Sequence, residues 1–274
     1  MSRRAFVVPA ADGAAIVCTL HEPRAPARST IVIAPNGPLP RAGPFRSMTR
    51  LADCLCLAGH RVVRADLRGF GEAGADVPEA TIHEHYRRIE RGLHVEDMLA
   101  VVRSLEGDGA PLVLFGSCGG AVTAVRAAQL EPSVNGVVTY ALPVVLTGGR
   151  SADLAGRRGP RRVLAMGRLG LGEALLRISG GRLLPARLAP WLNVSLIRAL
   201  RGLAGRRPAL LLFGGEDDVQ DHLGRYGLAH LKGVDMDELA GIGHHFDDPH
   251  DVERVASAVS SWLTRRLLSQ TQAP

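Results

Sequence analysis

The sequence predicts an α/β fold, with a mostly parallel central sheet covered by helices on both faces. Two observations carry this. Short apolar runs alternate with segments of helical periodicity along most of the 274 residues. The run Leu112-Val113-Leu114-Phe115 also lacks polar alternation, as a strand buried on both faces of a parallel sheet would.

In chain order, strands are predicted at 14–20, 30–34, 61–65, 112–115, 136–141 and 210–213, with a weaker one at 234–239. Helices are predicted at 46–58, 92–105, 120–130 and 251–268. In the last, Val252, Val255, Ala256, Val259, Trp262 and Leu263 recur at helical spacing and should face the sheet. The rhythm breaks between Val144 and Arg207, where amphipathic pieces at 163–176 and 192–203 stand among glycines and prolines. That stretch carries thirteen arginines against only Asp153 and Glu173. It is expected to be a helical lid, residues 144–207, inserted into a core formed by 1–143 and 208–274.

Composition narrows the function classes. Apolar residues make up 46% of the chain, enough for a sizeable core, and aromatics only 4%, too few for base-stacking platforms. The net charge is +6, yet Lys232 is the only lysine and the arginine excess follows no nucleic-acid motif, so no nucleic-acid partner is expected. No segment approaches the ~18 apolar residues of a membrane span. Residues 1–10 lack a long apolar core and Asp12 soon follows, so no signal peptide and a cytoplasmic location are expected. The four cysteines, Cys18, Cys54, Cys56 and Cys118, need no disulfides in a chain of this size, and Cys54 and Cys56 lack metal-site spacing. His222, near Asp218 and Asp221, reads as part of a polar loop. His83, His85 and His94 read as solvated. No metal or cofactor is expected.

The chemistry gathers at three loops. Leu112–Phe115 runs into Gly116-Ser117-Cys118-Gly119-Gly120 and then a helix. A small-x-nucleophile-x-small turn after a strand lifts its central side chain above the sheet edge. Cys118 then becomes a candidate nucleophile, and the Gly119 N–H, opening a helix, a candidate oxyanion donor. Gly241-Ile242-Gly243-His244-His245 precedes the last helix and offers a base, His244 or His245. Gly214-Gly215-Glu216-Asp217-Asp218 follows the strand at 210–213 and offers a carboxylate, Asp217 or Asp218, to hold the imidazole. Asp66 and Arg68 read as braces for the loop after the strand at 61–65.

These motifs resemble those of the α/β-hydrolase superfamily, over nearly the whole chain. Asp66-Leu67-Arg68-Gly69-Phe70-Gly71 is similar to its D-x-R-G-x-G, Gly214-Gly215-Glu216-Asp217 to its G-x-x-D, and Gly241-Ile242-Gly243-His244 to its G-x-G-H. The resemblance implies an α/β-hydrolase fold with Cys118 as nucleophile, His244 as base and Asp217 as its orienter. Most members carry serine at the nucleophile position. Cysteine there resembles dienelactone hydrolases, polyhydroxyalkanoate synthases, some thioesterases and acyltransferases, and exosortase-associated hydrolases. The last are also matched by Asn36-Gly37-Pro38-Leu39-Pro40-Arg41-Ala42-Gly43, similar to their G-G-P-x-x-R-x-G. Where the superfamily's oxyanion loop carries H-G-x, this chain has Asn36-Gly37-Pro38. Proline has no N–H, so the second oxyanion donor is expected from Gly37, Leu39 or the Asn36 amide.

A free thiol ionises near pH ~8.5, and a neighbouring imidazolium or helix N-terminus lowers that value. An acyl-cysteine is a thioester, still activated toward water, alcohols, amines and thiols. The expected activity is therefore hydrolysis or acyl transfer on an ester or thioester. The basic lid would attract coenzyme A phosphates or an acidic acyl carrier protein. The alternatives are opening or closure of a lactone and, from another class, a catalytically degenerate hydrolase fold that only binds. Oligomeric state is not readable from the sequence.

Overall fold

The computed structural model describes residues 1–74, 81–105, 109–149, 159–179, 187–217 and 219–268. Eight strands form one sheet: β1 (Ser2–Pro9), β2 (Ala15–Glu22), β3 (Thr30–Ala34), β4 (Arg61–Asp66), β5 (Leu112–Ser117), β6 (Val134–Tyr140), β7 (Ala209–Gly214) and β8 (Val234–Leu239). Their spatial order is β1-β2-β4-β3-β5-β6-β7-β8. β2 pairs antiparallel with β1 and β4, and every other pairing is parallel.

The helices are α1 (Ser47–Leu57), α2 (Ile82–Glu90), α3 (Val95–Ser104), α4 (Gly119–Leu130), α5 (Gly159–Ile178), α6 (Val194–Leu203), α7 (Val219–Arg225) and α8 (Pro249–Leu263). Side-chain alternation sorts the strands between two cores. Val32, Val63, Leu114, Val137 and Leu211 face α3, α4 and α6. Ile31, Ile33, Val62, Val113, Val138 and Leu210 face α1 and α8. Both faces of the central strands are dry, which is why those strands read as unbroken apolar runs. α8 buries the six residues its periodicity named, and it starts where Asp248 caps the His250 N–H at 2.8 Å, with Pro249 in the first turn.

Between β6 and β7 the described residues form the helices α5 and α6, set among turns and irregular stretches, with an isolated bridge between Val145 and Leu192. α5 leaves most of its surface exposed. α6 instead buries Leu196, Ile197, Ala199, Leu200 and Leu203 in the core that α4 shares. Two histidines differ from expectation. His83 is exposed, but His85 and His94 are buried, packed near each other and Phe70, so burial lowers the pKa of both. Asp66 is buried and accepts hydrogen bonds from the Glu72 N–H at 3.0 Å and from the Arg41 backbone and side chain. Arg68 pairs with Asp97 and Asp12. Both residues brace loops. No described helix is long and apolar enough to cross a membrane.

The chain runs from β3 outward to β4, then returns to β5 on the other side of β3. Strand order therefore reverses between β3 and β5, and the crevice beyond their C-terminal ends is where such sheets take ligands. Cys118 and the loop after β3 lie there.

Candidate active site

Cys118 occupies the bend between β5 and α4, with φ 51° and ψ −121°. A side chain held at positive φ costs roughly 1–3 kcal/mol, which the surroundings must enforce. The Cys118 N–H donates to the Tyr140 carbonyl at 3.0 Å, and its carbonyl accepts from the Ala121 N–H at 2.9 Å. The flanking glycines are steric necessities. A Cβ on Gly116 would lie 2.1 Å from the Gly120 carbonyl oxygen, and one on Gly120 would lie 2.4 Å from that of Pro35. Thus the bend closes only with hydrogen at both positions.

The histidine loop is seated with equal care. A Cβ on Gly214 would lie 2.0 Å from the Ile242 carbonyl oxygen. The Tyr140 hydroxyl donates to the Gly243 carbonyl at 2.5 Å, and the Phe246 ring packs edge-on against Tyr140 at 4.8 Å. His244 therefore stands between the ends of β5 and β7. Its Nδ1 lies 2.8 Å from Asp217 Oδ2, and the Cys118 side chain is its other electrostatic neighbour. The Asp217 carboxylate and then the Cys118 contact raise the His244 pKa to about 10. The Asp217 side chain is only 4% exposed and that of His244 40% exposed, so the carboxylate is sheltered and the imidazole is reachable. His245 stacks edge-on against His244 at 4.9 Å, and burial and its neighbour lower its pKa. Asp218 lies outside the described residues.

The remaining cysteines differ from Cys118 in setting. Cys18 is fully buried and its thiol is pushed up to about 12, while burial also raises Cys54 and Cys56. All four thiols are free, and the described residues contain no cluster of potential metal ligands. His222 is half-buried and stacks on Tyr226.

The loop after β3 closes the other wall. Asn36 is buried, Leu39 is half-buried, and Gly37 adopts φ 61°. A Cβ on Gly119 would lie 3.0 Å from Gly37 Cα and 3.4 Å from Gly37 N, so the two glycine backbones touch. Neither N–H is taken by an acceptor among the described residues. Of the donors expected beside Gly119, the structure brings Gly37 against it.

One residue escaped the sequence reading. Tyr86 of α2 sets its hydroxyl 3.1 Å from where a Gly37 Cβ would be. Burial, followed by the nearby Cys118, raises its pKa. No motif marks Tyr86. The only available signal was an aromatic residue on a polar helix shortly after the Asp66–Gly71 loop.

Comparison with models of known families finds no match, and comparison with curated protein sequences finds none. Solved structures do match. The α/β hydrolase GrgF from Penicillium sp. sh18 superposes with TM-score 0.66 at 15% identity, over 97% of this chain and 99% of that one. The fold is the α/β-hydrolase fold. The esterase Pf2001 of Pyrococcus furiosus gives TM-score 0.64 at 15% identity over 97% and 93% of the two chains. The dienelactone hydrolase of Anabaena variabilis ATCC 29413 gives 0.61 at 18% over 97% and 98%. In this fold Cys118 stands at the bend after β5, Asp217 beyond β7 and His244 beyond β8.

Proposed function

We propose that the chain is a cysteine-dependent α/β-hydrolase acting on an ester or thioester, as a hydrolase or an acyltransferase. The observation that carries the reading is His244, held by Asp217 at 2.8 Å, with Cys118 close enough to act on its charge. In this scheme His244 takes the thiol proton, and the sulfur attacks the acyl carbon. The C=O electron pair moves to oxygen, facing the N–H groups of Gly119 and Gly37. As the carbonyl re-forms, the leaving alkoxide or thiolate departs with the proton from His244. An acceptor then releases the acyl group from sulfur while His244 takes the acceptor's proton. The ester-directed neighbours favour an acyl substrate.

Residues 144–207 act as the lid in this reading. Arg161, Arg162, Arg168 and Arg177 are exposed on α5. Their charge favours coenzyme A or an acidic carrier protein as the acyl donor. The dienelactone hydrolase neighbour supports a second reading, in which the ester is a lactone. A protein that only binds would have no use for an imidazole held by a buried carboxylate beside a cysteine on a strained bend.

The test is intact-protein mass spectrometry after exposure to a panel of acyl thioesters, followed by candidate acceptors. An acyl adduct on Cys118 is expected, absent in Cys118→Ala, whose turnover should fall at least ~10³-fold. Cys118→Ser should retain little activity. Wild-type rates in the alanine variant would refute the assignment. Thiol labelling near neutral pH should favour Cys118 over Cys18, Cys54 and Cys56, and equal reactivity would favour the binding-only alternative.

A further inference from the structure

Pro38 removes an N–H from the oxyanion loop, and α2 reaches the same place from the other side. Ile89 and Tyr86 are three residues apart on α2 and so share a face. Ile89 Cγ2 lies 3.0 Å from where a Gly119 Cβ would be, and the Tyr86 hydroxyl lies 3.1 Å from where a Gly37 Cβ would be. One helix face thus lines both glycines, whose N–H groups are taken by no acceptor among the described residues.

That face is fixed in place. The Glu90 carboxylate accepts from the Thr147 N–H at 3.0 Å and from its hydroxyl at 2.6 Å, and the Asn193 side-chain amide donates to the Glu90 carbonyl. Thr81 caps the other end of the helix by accepting from the Glu84 N–H at 3.2 Å. Tyr86 is half-buried, and no hydrogen bond joins its hydroxyl to another described residue. A phenol body packed in the wall of a reactive crevice, with its polar tip unspent, is a group kept for a ligand.

We propose that the Tyr86 hydroxyl donates a hydrogen bond to the acyl oxygen as it becomes an anion, joining the N–H groups of Gly37 and Gly119. This deepens the acyl-cysteine reading and rests on it. No proton is transferred from Tyr86. The C=O pair collects on oxygen as the S–C bond forms, and the phenol stays protonated. Its raised pKa suits that role, since burial keeps the proton on the hydroxyl.

The experiment compares wild type with Tyr86→Phe in two reactions of the same sulfur. Acylation by a thioester passes through an oxyanion, whereas alkylation by iodoacetamide is a displacement that forms none. Tyr86→Phe is expected to lower kcat for thioesters by about 10²-fold with KM changed less than about threefold. Its alkylation rate and thermal midpoint should match wild type. Retention of kcat within threefold would overturn the proposal. So would a parallel fall in alkylation, which would make Tyr86 a support for the nucleophile. A wild-type protein that is alkylated at Cys118 but never acylated would instead bring down the acyl-cysteine reading, and this inference with it.

Discussion

Replacing Asp217 by asparagine tests the electrostatics of the site. The His244 pKa, raised to about 10 from 6.5, is attributed first to the Asp217 hydrogen bond and next to Cys118. A hydrogen bond involving a charged partner contributes about 1.5–3 kcal/mol, and the 40% exposure of the His244 side chain favours the lower end. Asp217→Asn should therefore lower the His244 pKa by about 1–2 units. The His244 pKa is higher in the folded state. Its contribution to stability is thus fully present below pH 6.5 and is lost as pH rises through about 10. In the proposed mechanism the same proton serves the leaving group. The high-pH limb of kcat/KM for an aryl ester should consequently sit near pH 10 in wild type and move to lower pH in the variant. The rate near neutral pH should fall about 10–100-fold. Stopped-flow hydrolysis of a p-nitrophenyl ester from pH 5 to ~10.5 reads both effects. A high-pH limb unmoved by the substitution would refute the coupling of carboxylate to imidazole.

Two further predictions concern steric fit and charge. Gly120→Ala places a methyl 2.4 Å from the Pro35 carbonyl oxygen, a rigid backbone atom, and should cost about 2–4 kcal/mol in urea unfolding, whereas an unchanged midpoint would mean the bend is looser than drawn. Neutralising Arg161 and Arg162 together should raise KM for coenzyme A thioesters at low salt, with little effect at high salt. A KM that stays put would rule out charge steering by α5.

The central elements were legible because local and tertiary demands agree there. β3 and β5 are dry on both faces, and Gly116 and Gly120 are the only residues their contacts admit. α8 carried its inward stripe openly. β1 was not legible, because seven of its eight residues lie outside the core and it shows no two-residue alternation. α2 was hidden for a related reason. Of its nine residues only His85, Ile89 and Glu90 are buried, and two of those are polar, so its inward face has no apolar signature. The burial of His85 and His94 and the approach of Tyr86 to Gly37 follow from where α2 docks, which no local pattern encodes. Cys118, His244 and Asp217 could be named from their glycine-rich loops. That Asp217 meets Nδ1 of His244 depends on how β7 and β8 sit beside β5.

The pairing of β3 with β5 sets Ala34 level with Gly116, one strand spacing of about 4.8 Å away. The two loops that supply Gly37 and Gly119 therefore leave the sheet from the same height. The gap between those two amides is gauged by backbone ladder geometry, which side-chain substitution hardly alters. Sequence drift in the surrounding walls can then reshape the crevice while the two amides keep their spacing.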